Sequence, residues 1–205
     1  MGHVRLAIID LNEHANQPMI CHKTGNILVF NGEIYNFRAI RQELEKLGWI
    51  FRTHSDTEVL LTAYNQWGTA CLQHLNGMFA FALYDVAHKR IFLARDRVGK
   101  KPLYYSLWNK ELIWGSEIKA LLTLRPELPL EMDDTALKEY MGIGYIPGNL
   151  SIYRQIRKLK PAHYAIYELE SKTLSQHRYW NLPTFQHEKI TENEAVEELE
   201  RLLIF

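Results

Sequence analysis

Apolar and polar positions divide the chain into short segments. Leu28 to Phe30 is an apolar, β-rich run that stops at the polar step Asn31-Gly32-Glu33, and a helical pattern starts at Asn36. This predicts a core strand ending in a sharp, glycine-permitted turn that leaves backbone donors and a carboxylate free. An ordinary surface turn is the plain alternative. Upstream, Val4 to Asp10 reads as a strand interrupted by Arg5, and Pro18 to His22 pairs with Ile27 to Phe30 as a hairpin. Downstream, Asn36 is placed to cap a helix with Ile40, Leu44 and Leu47 on one face, ended by Gly48.

Ile50 to Thr53 reads as a short strand. Ser55 and Glu58 form a capping box ahead of a helix with Leu60, Ala63, Tyr64 and Trp67 inward and Gly68 at its end. Met78 to Asp85 alternates, with Phe79, Phe81 and Leu83 on one face and Met78, Ala80, Ala82 and Tyr84 on the other. Strands are expected at Arg90 to Arg95, Leu103 to Leu107 and Leu112 to Ser116. Leu124 to Leu130 is a Pro-rich border, and Asp133 or Asp134 caps a helix to about Met141. The glycines from Gly142 to Gly148 lack the spacing and context of a dinucleotide fingerprint and read as a loop. A last hairpin spans Ala162 to Trp180; after a linker, Thr191 and Glu194 box a helix striped by Val196, Leu199 and Leu203. Short strands joined by tight turns, with helices set apart, imply an α+β fold of antiparallel sheets.

Composition narrows the function. Lys plus Arg equals Asp plus Glu at 24 each, so nothing marks a nucleic-acid or acidic-membrane partner. No apolar run is long enough to span a bilayer. Cys21 and Cys71 have neither metal-like spacing nor disulfide-framework density, which fits a reducing cytoplasm and buried structural thiols. The nine histidines are scattered, and no metal site is expected.

The candidates for chemistry are Arg5, Asn31, Gly32, Glu33, Asp56 and the run Arg95-Asp96-Arg97. Asp56 opens a helix, whose positive end favours an ionised carboxylate; first-turn electrostatics alone would also place it there. Arg5 in an apolar strand needs an anionic partner, either a structural carboxylate or a ligand. A guanidinium, two carboxylates and a polar strand end would together suit a zwitterionic amino acid.

Several strings carry a family resemblance. They are Gly2 to Asp10, Asn31-Gly32-Glu33-Ile34-Tyr35-Asn36, Ser55-Asp56-Thr57-Glu58, Asn76 to Phe81, Arg95 to Gly99 with Pro102-Leu103-Tyr104-Tyr105, and Ser116-Glu117-Ile118-Lys119. In order and spacing they resemble the glutaminase domain of asparagine synthases, above all the bacterial asparagine-synthase-like proteins. The resemblance covers residues 1–183, leaving 184–205 as a linker and the first helix of a synthetase domain.

It implies a class II glutamine amidotransferase with the N-terminal-nucleophile hydrolase fold, a four-layer αββα sandwich of antiparallel sheets, here lacking its opening strands. In such domains an N-terminal Cys attacks the side-chain amide of glutamine. By the resemblance, Asn31 and the Gly32 N–H form the oxyanion hole, Glu33 and Asp56 hold the substrate ammonium, Arg5 holds its carboxylate, and Arg95 to Gly99 brace a strand. No cofactor is implied for this domain; ATP and Mg belong to the synthetase domain, and a homodimer is compatible with the family. The family's opening Cys-Gly is absent, as is the pyrophosphate loop, so a chain truncated at both ends and inactive in hydrolysis is expected, with Phe79 and Phe81 left uncovered. A module that binds glutamine without cleaving it, a remnant that binds nothing, and a domain serving another acceptor are the alternatives.

Overall fold

The computed structural model describes residues 1–4, 10, 13–184 and 190–203. The strand expected over Val4 to Asp10 therefore lies almost wholly outside the described residues, and so does Arg5.

Among the described residues, nine strands form two antiparallel sheets. The larger contains β1 (Met19–Ile20), β2 (Ile27–Ile34), β3 (Gly77–Asp85), β4 (Arg90–Arg95), β8 (His163–Glu168) and β9 (Thr173–Arg178), in the order β1-β2-β3-β4-β8-β9. The smaller is β6-β5-β7, from β5 (Tyr104–Trp108), β6 (Glu111–Gly115) and β7 (Arg157–Lys158). The alternation in β3 sorts the layers. Phe79, Phe81 and Leu83 join Leu28, Phe30 and Phe92 under the helices α1 (Phe37–Lys46), α2 (Asp56–Trp67) and the short α3 (Cys71–His74). Ala80 and Ala82 face Leu103 and Tyr105 of the second sheet, small side chains that let the two sheets close together. On the far side of that sheet α4 (Ile118–Leu124) contributes Leu121, packed with Leu128 and Ile156. Helices, sheet, sheet and helix make the expected four layers. Two more helices, α5 (Asp134–Ile143) and α6 (Glu192–Leu203), complete the described chain.

Several local expectations hold through identifiable contacts. Asp133 caps α5 by accepting from the N–H groups of Thr135 and Ala136. Thr191 and Glu194 close a reciprocal capping box on α6. Its stripe of Val196, Leu199 and Leu203 is exposed among the described residues.

Other expectations need correcting. The chain does not turn at Asn31-Gly32-Glu33; β2 runs straight through to Ile34, paired with β3 from Asn31↔Ala80 to Ile34↔Gly77. Gly32 adopts φ +149°, and a Cβ there would sit 2.1 Å from the Met78 carbonyl oxygen. Glycine at this position allows close backbone approach within a ladder, not a reversal. Ile50 to Thr53 is not a strand, because the carboxylate of Glu58 accepts from the N–H groups of Arg52 and Thr53 that a ladder would have needed. Asn36 occupies the N-cap position of α1, as expected, but its side chain makes no capping bond; its carboxamide instead joins the His74 carbonyl and the Asn76 N–H. Leu47 is exposed, whereas Phe79 and Phe81 are 1% and 2% exposed and well covered. Helix α4 was not anticipated, and the segment from Leu124 to Leu130 is packed through Leu128 rather than forming a border.

Candidate functional site

One end of the two stacked sheets opens into a cavity of about 540 Å³. From β2 come Asn31, Gly32 and Glu33, and from the first turn of α2 come Asp56 and Thr57. The segments flanking the second sheet contribute Lys101 before β5, Ser116 and Glu117 after β6, and Lys119 in the first turn of α4. Of the residues assigned to the oxyanion hole and the substrate by the resemblance, Asn31, Gly32, Glu33 and Asp56 therefore line one cavity; Arg5 lies outside the described residues, and Arg95, Asp96 and Arg97 do not line it. Tyr35, just past the end of β2, is half exposed to solvent.

The local sequence explains how Asp56 arrives there. Ser55 caps α2 by accepting from the Glu58 N–H at 3.2 Å, and Asp10 accepts from the His54 N–H at 2.9 Å, which fixes the approach to the helix. Asp56 is then carried against β2, where its Oδ2 accepts from the Ile34 N–H at 3.1 Å. Thus α2 and β2 are joined at the site by a carboxylate-to-backbone bond.

Burial raises the Asp56 carboxyl above the usual carboxylate value. The backbone N–H groups of Ile34 and Thr57 oppose that rise, and the negative charge of Glu33 adds to it. Loss of water thus works against the helix end, which favours the ionised form. Among the described residues neither Glu33 nor Asp56 forms an ion pair, and the two like charges act on each other.

Asn31 donates from Nδ2 to Ser116 Oγ at 3.4 Å, a weak bond that joins the two sheets. Lys101 is delivered by a braced loop. Asp96, 1% exposed, accepts from the N–H groups of Phe79, Lys100 and Lys101. The Arg95 guanidinium donates to the carbonyls of Gly99, Lys101 and Leu159, each at 2.7 Å. Bracing was the role expected of this run. That it presents Lys101 to the cavity was not foreseen, nor was the contribution of the segment after β6, although both strings stand out in the sequence.

Neither cysteine lines this cavity. Cys71 is wholly buried in the apolar layer under the helices, and burial pushes its thiol up. Cys21 borders a separate cavity beside Trp49. Among the described residues no group of three or more His, Cys, Asp or Glu gathers as a metal site, and no helix is long and apolar enough to cross a membrane.

A two-sheet α+β sandwich with an amide-rich strand and paired carboxylates at one end defines a class, and comparison with known proteins agrees with it. The chain matches the family described as glutamine amidotransferase domain over residues 1–180, and it belongs to that family. It is 40% identical over 190 residues to asparagine synthetase (glutamine-hydrolyzing) 3 of Bacillus subtilis, covering 91% of this chain and 30% of that protein. It is 38% identical over 160 residues to asparagine synthetase (glutamine-hydrolyzing) 1 of the same organism, covering 78% and 25%. The chain thus spans about a third or less of these relatives. Among solved structures, the B. subtilis glutamine phosphoribosylpyrophosphate amidotransferase, complexed with ADP and GMP, superposes with a TM-score of 0.59 at 22% identity, over 87% of this chain and 34% of that one. That likeness establishes the shared N-terminal-nucleophile hydrolase fold.

Proposed function

We propose that the cavity binds L-glutamine as the amide donor of an asparagine-synthase-type amidotransferase. The carrying observation is that Asn31, Gly32 and Glu33 of β2 and Asp56 of α2, remote in sequence, line one cavity and are tied by the Asp56–Ile34 hydrogen bond. In this reading Glu33 and Asp56 receive the ammonium, Arg5 receives the α-carboxylate, and the side-chain amide lies toward Asn31 Nδ2 and the Gly32 N–H. Those two donors would stabilise the oxyanion that forms when the amide is attacked, a contribution of about 2.7–4 kcal/mol per donor in enzymes of this kind.

Neither Cys21 nor Cys71 lines the cavity, so in this reading neither is the attacking group, and what is proposed for the 205-residue chain is binding of glutamine without hydrolysis. In the longer assembly of its relatives, residues 1–183 would supply ammonia, and 184–205 would lead into a synthetase region that uses ATP and Mg to activate the acceptor, aspartate by default.

Isothermal titration of the chain with L-glutamine, D-glutamine and L-norvaline tests the reading. Binding of L-glutamine in preference to the other two, lost in Asp56→Asn, is expected. Equal or absent binding of all three would overturn it, as would sustained ammonia release by the chain alone.

A further inference from the structure

We infer that Gln17 is the positioning residue of the oxyanion corner, setting Asn31 and the Gly32 N–H through the backbone of Phe30. The inference deepens the glutamine reading and rests on it.

The weakness of the contacts made by Asn31 itself motivates the search for a support. Its carboxamide has one hydrogen bond among the described residues, the 3.4 Å contact to Ser116 Oγ. The direction of that side chain must then be set by its backbone. On one edge, β2 is held by β3, with Phe30↔Phe81 and Asn31↔Ala80 paired. On the other edge β1 pairs only Met19↔Leu28 and Ile20↔Ile27. Continued past β1, that register would place Gln17 opposite Phe30, but the intervening residue is Pro18, which has no N–H to give to a ladder.

The Gln17 side chain takes over where the strand stops. Its Oε1 accepts from the Phe30 N–H at 2.5 Å, and its Nε2 donates to the Phe30 carbonyl at 3.0 Å. A primary carboxamide has the same donor and acceptor as a peptide group, so it substitutes for the missing strand residue in both directions. Nε2 also lies 3.5 Å from Thr57 Oγ1, next to Asp56 in the first turn of α2. Gln17 therefore touches both elements that build the site, and it borders the cavity without spending its polar atoms on it. Phe30 is buried and immediately precedes Asn31, so rotation of its peptide planes would re-aim the carboxamide and the next N–H together.

The test uses the 205-residue chain and separates positioning from general stability. L-Norvaline keeps the ammonium, the carboxylate and the chain length of glutamine but lacks the side-chain amide, so it reports the site without the oxyanion corner. In Gln17→Met the preference for L-glutamine over L-norvaline should fall about tenfold, the size of one lost hydrogen bond, while norvaline affinity stays unchanged. Hydrogen exchange of the Phe30 amide should speed up, and the Asn31 side-chain amide resonances should shift. Equal loss for both ligands, or an unchanged preference, would overturn the inference. Should Gln17→Met not fold, Gln17→Glu keeps the acceptor for the Phe30 N–H and removes the donor to its carbonyl, and the preference should fall there too. If the unaltered chain binds neither ligand, the glutamine reading fails. The exchange and resonance measurements still decide about Gln17, because unchanged signals in the variant would sink it without any ligand present.

Discussion

Two buried aspartates occupy opposite ends of this fold and have opposite chemistry. At the β3–β4 turn, Asp85 accepts from Tyr64 Oη at 2.7 Å, Arg90 Nε at 3.2 Å, and both the backbone and ring nitrogens of His88. Burial alone would raise its carboxyl, but the bonds from Tyr64 and His88 together hold it below the usual carboxylate range. At the cavity end, Asp56 has backbone donors only and Glu33 as a neighbour, and burial leaves it raised. The saturated carboxylate stiffens the fold; the under-satisfied one remains available for a ligand.

The contrast can be broken most forcefully at the saturated end. Asp85→Ala strands the Tyr64 hydroxyl and the Arg90 guanidinium, and should cost about 3–5 kcal/mol in urea unfolding. Glutamine affinity per folded molecule should not change. Asp56→Asn should do the reverse, making the fold modestly more stable at neutral pH while losing about 1.5–3 kcal/mol in glutamine binding by calorimetry. Gly32→Ala forces a Cβ against the Met78 carbonyl and should destabilise by about 1–3 kcal/mol while abolishing binding. His88→Ala removes an exposed partner of Asp85 and should cost only about 0.2–1 kcal/mol, read as a small melting shift.

Acidity sharpens the same contrast. For Asp85, lowered in the fold, the stabilisation is present above the ordinary carboxylate value and is lost as pH falls through the folded-state value. For Asp56, raised in the fold, the stabilisation is present below the ordinary value and is lost as pH rises through the raised one. Unfolding free energies of Asp56→Asn and the unaltered chain should therefore diverge as pH climbs out of the acid range, with the variant the more stable. A difference that stayed flat with pH would contradict the assignment.

Much of this could be read from the chain because it is encoded locally. Alternation in β3 sorted Phe79, Phe81 and Leu83 from Ala80 and Ala82, and caps at Ser55, Asp133 and Thr191 marked three helix starts. What escaped depends on partners remote in sequence. Gly32 looks like a turn until Met78 and Phe79 are seen across the ladder, where an added Cβ would meet the Met78 carbonyl oxygen at 2.1 Å. The donors of Arg52 and Thr53 look available for a strand until Glu58 claims them. Helix α4 spans only seven residues with one buried side chain, too little periodicity to stand out. At the site, the residues of β2 and α2 are legible as motifs, but Lys101 and Lys119 are not, because their approach is made by the stacking of the sheets. The helix end behind Asp56 was visible in sequence; its loss of water was not.

Gly32 and Gly77, two rungs apart on the same ladder, each bring main chain where a side chain would collide with the facing strand. Randomising either position should return glycine alone, so directed evolution of this pocket toward another amide would have to proceed through α2 and the loops of the smaller sheet.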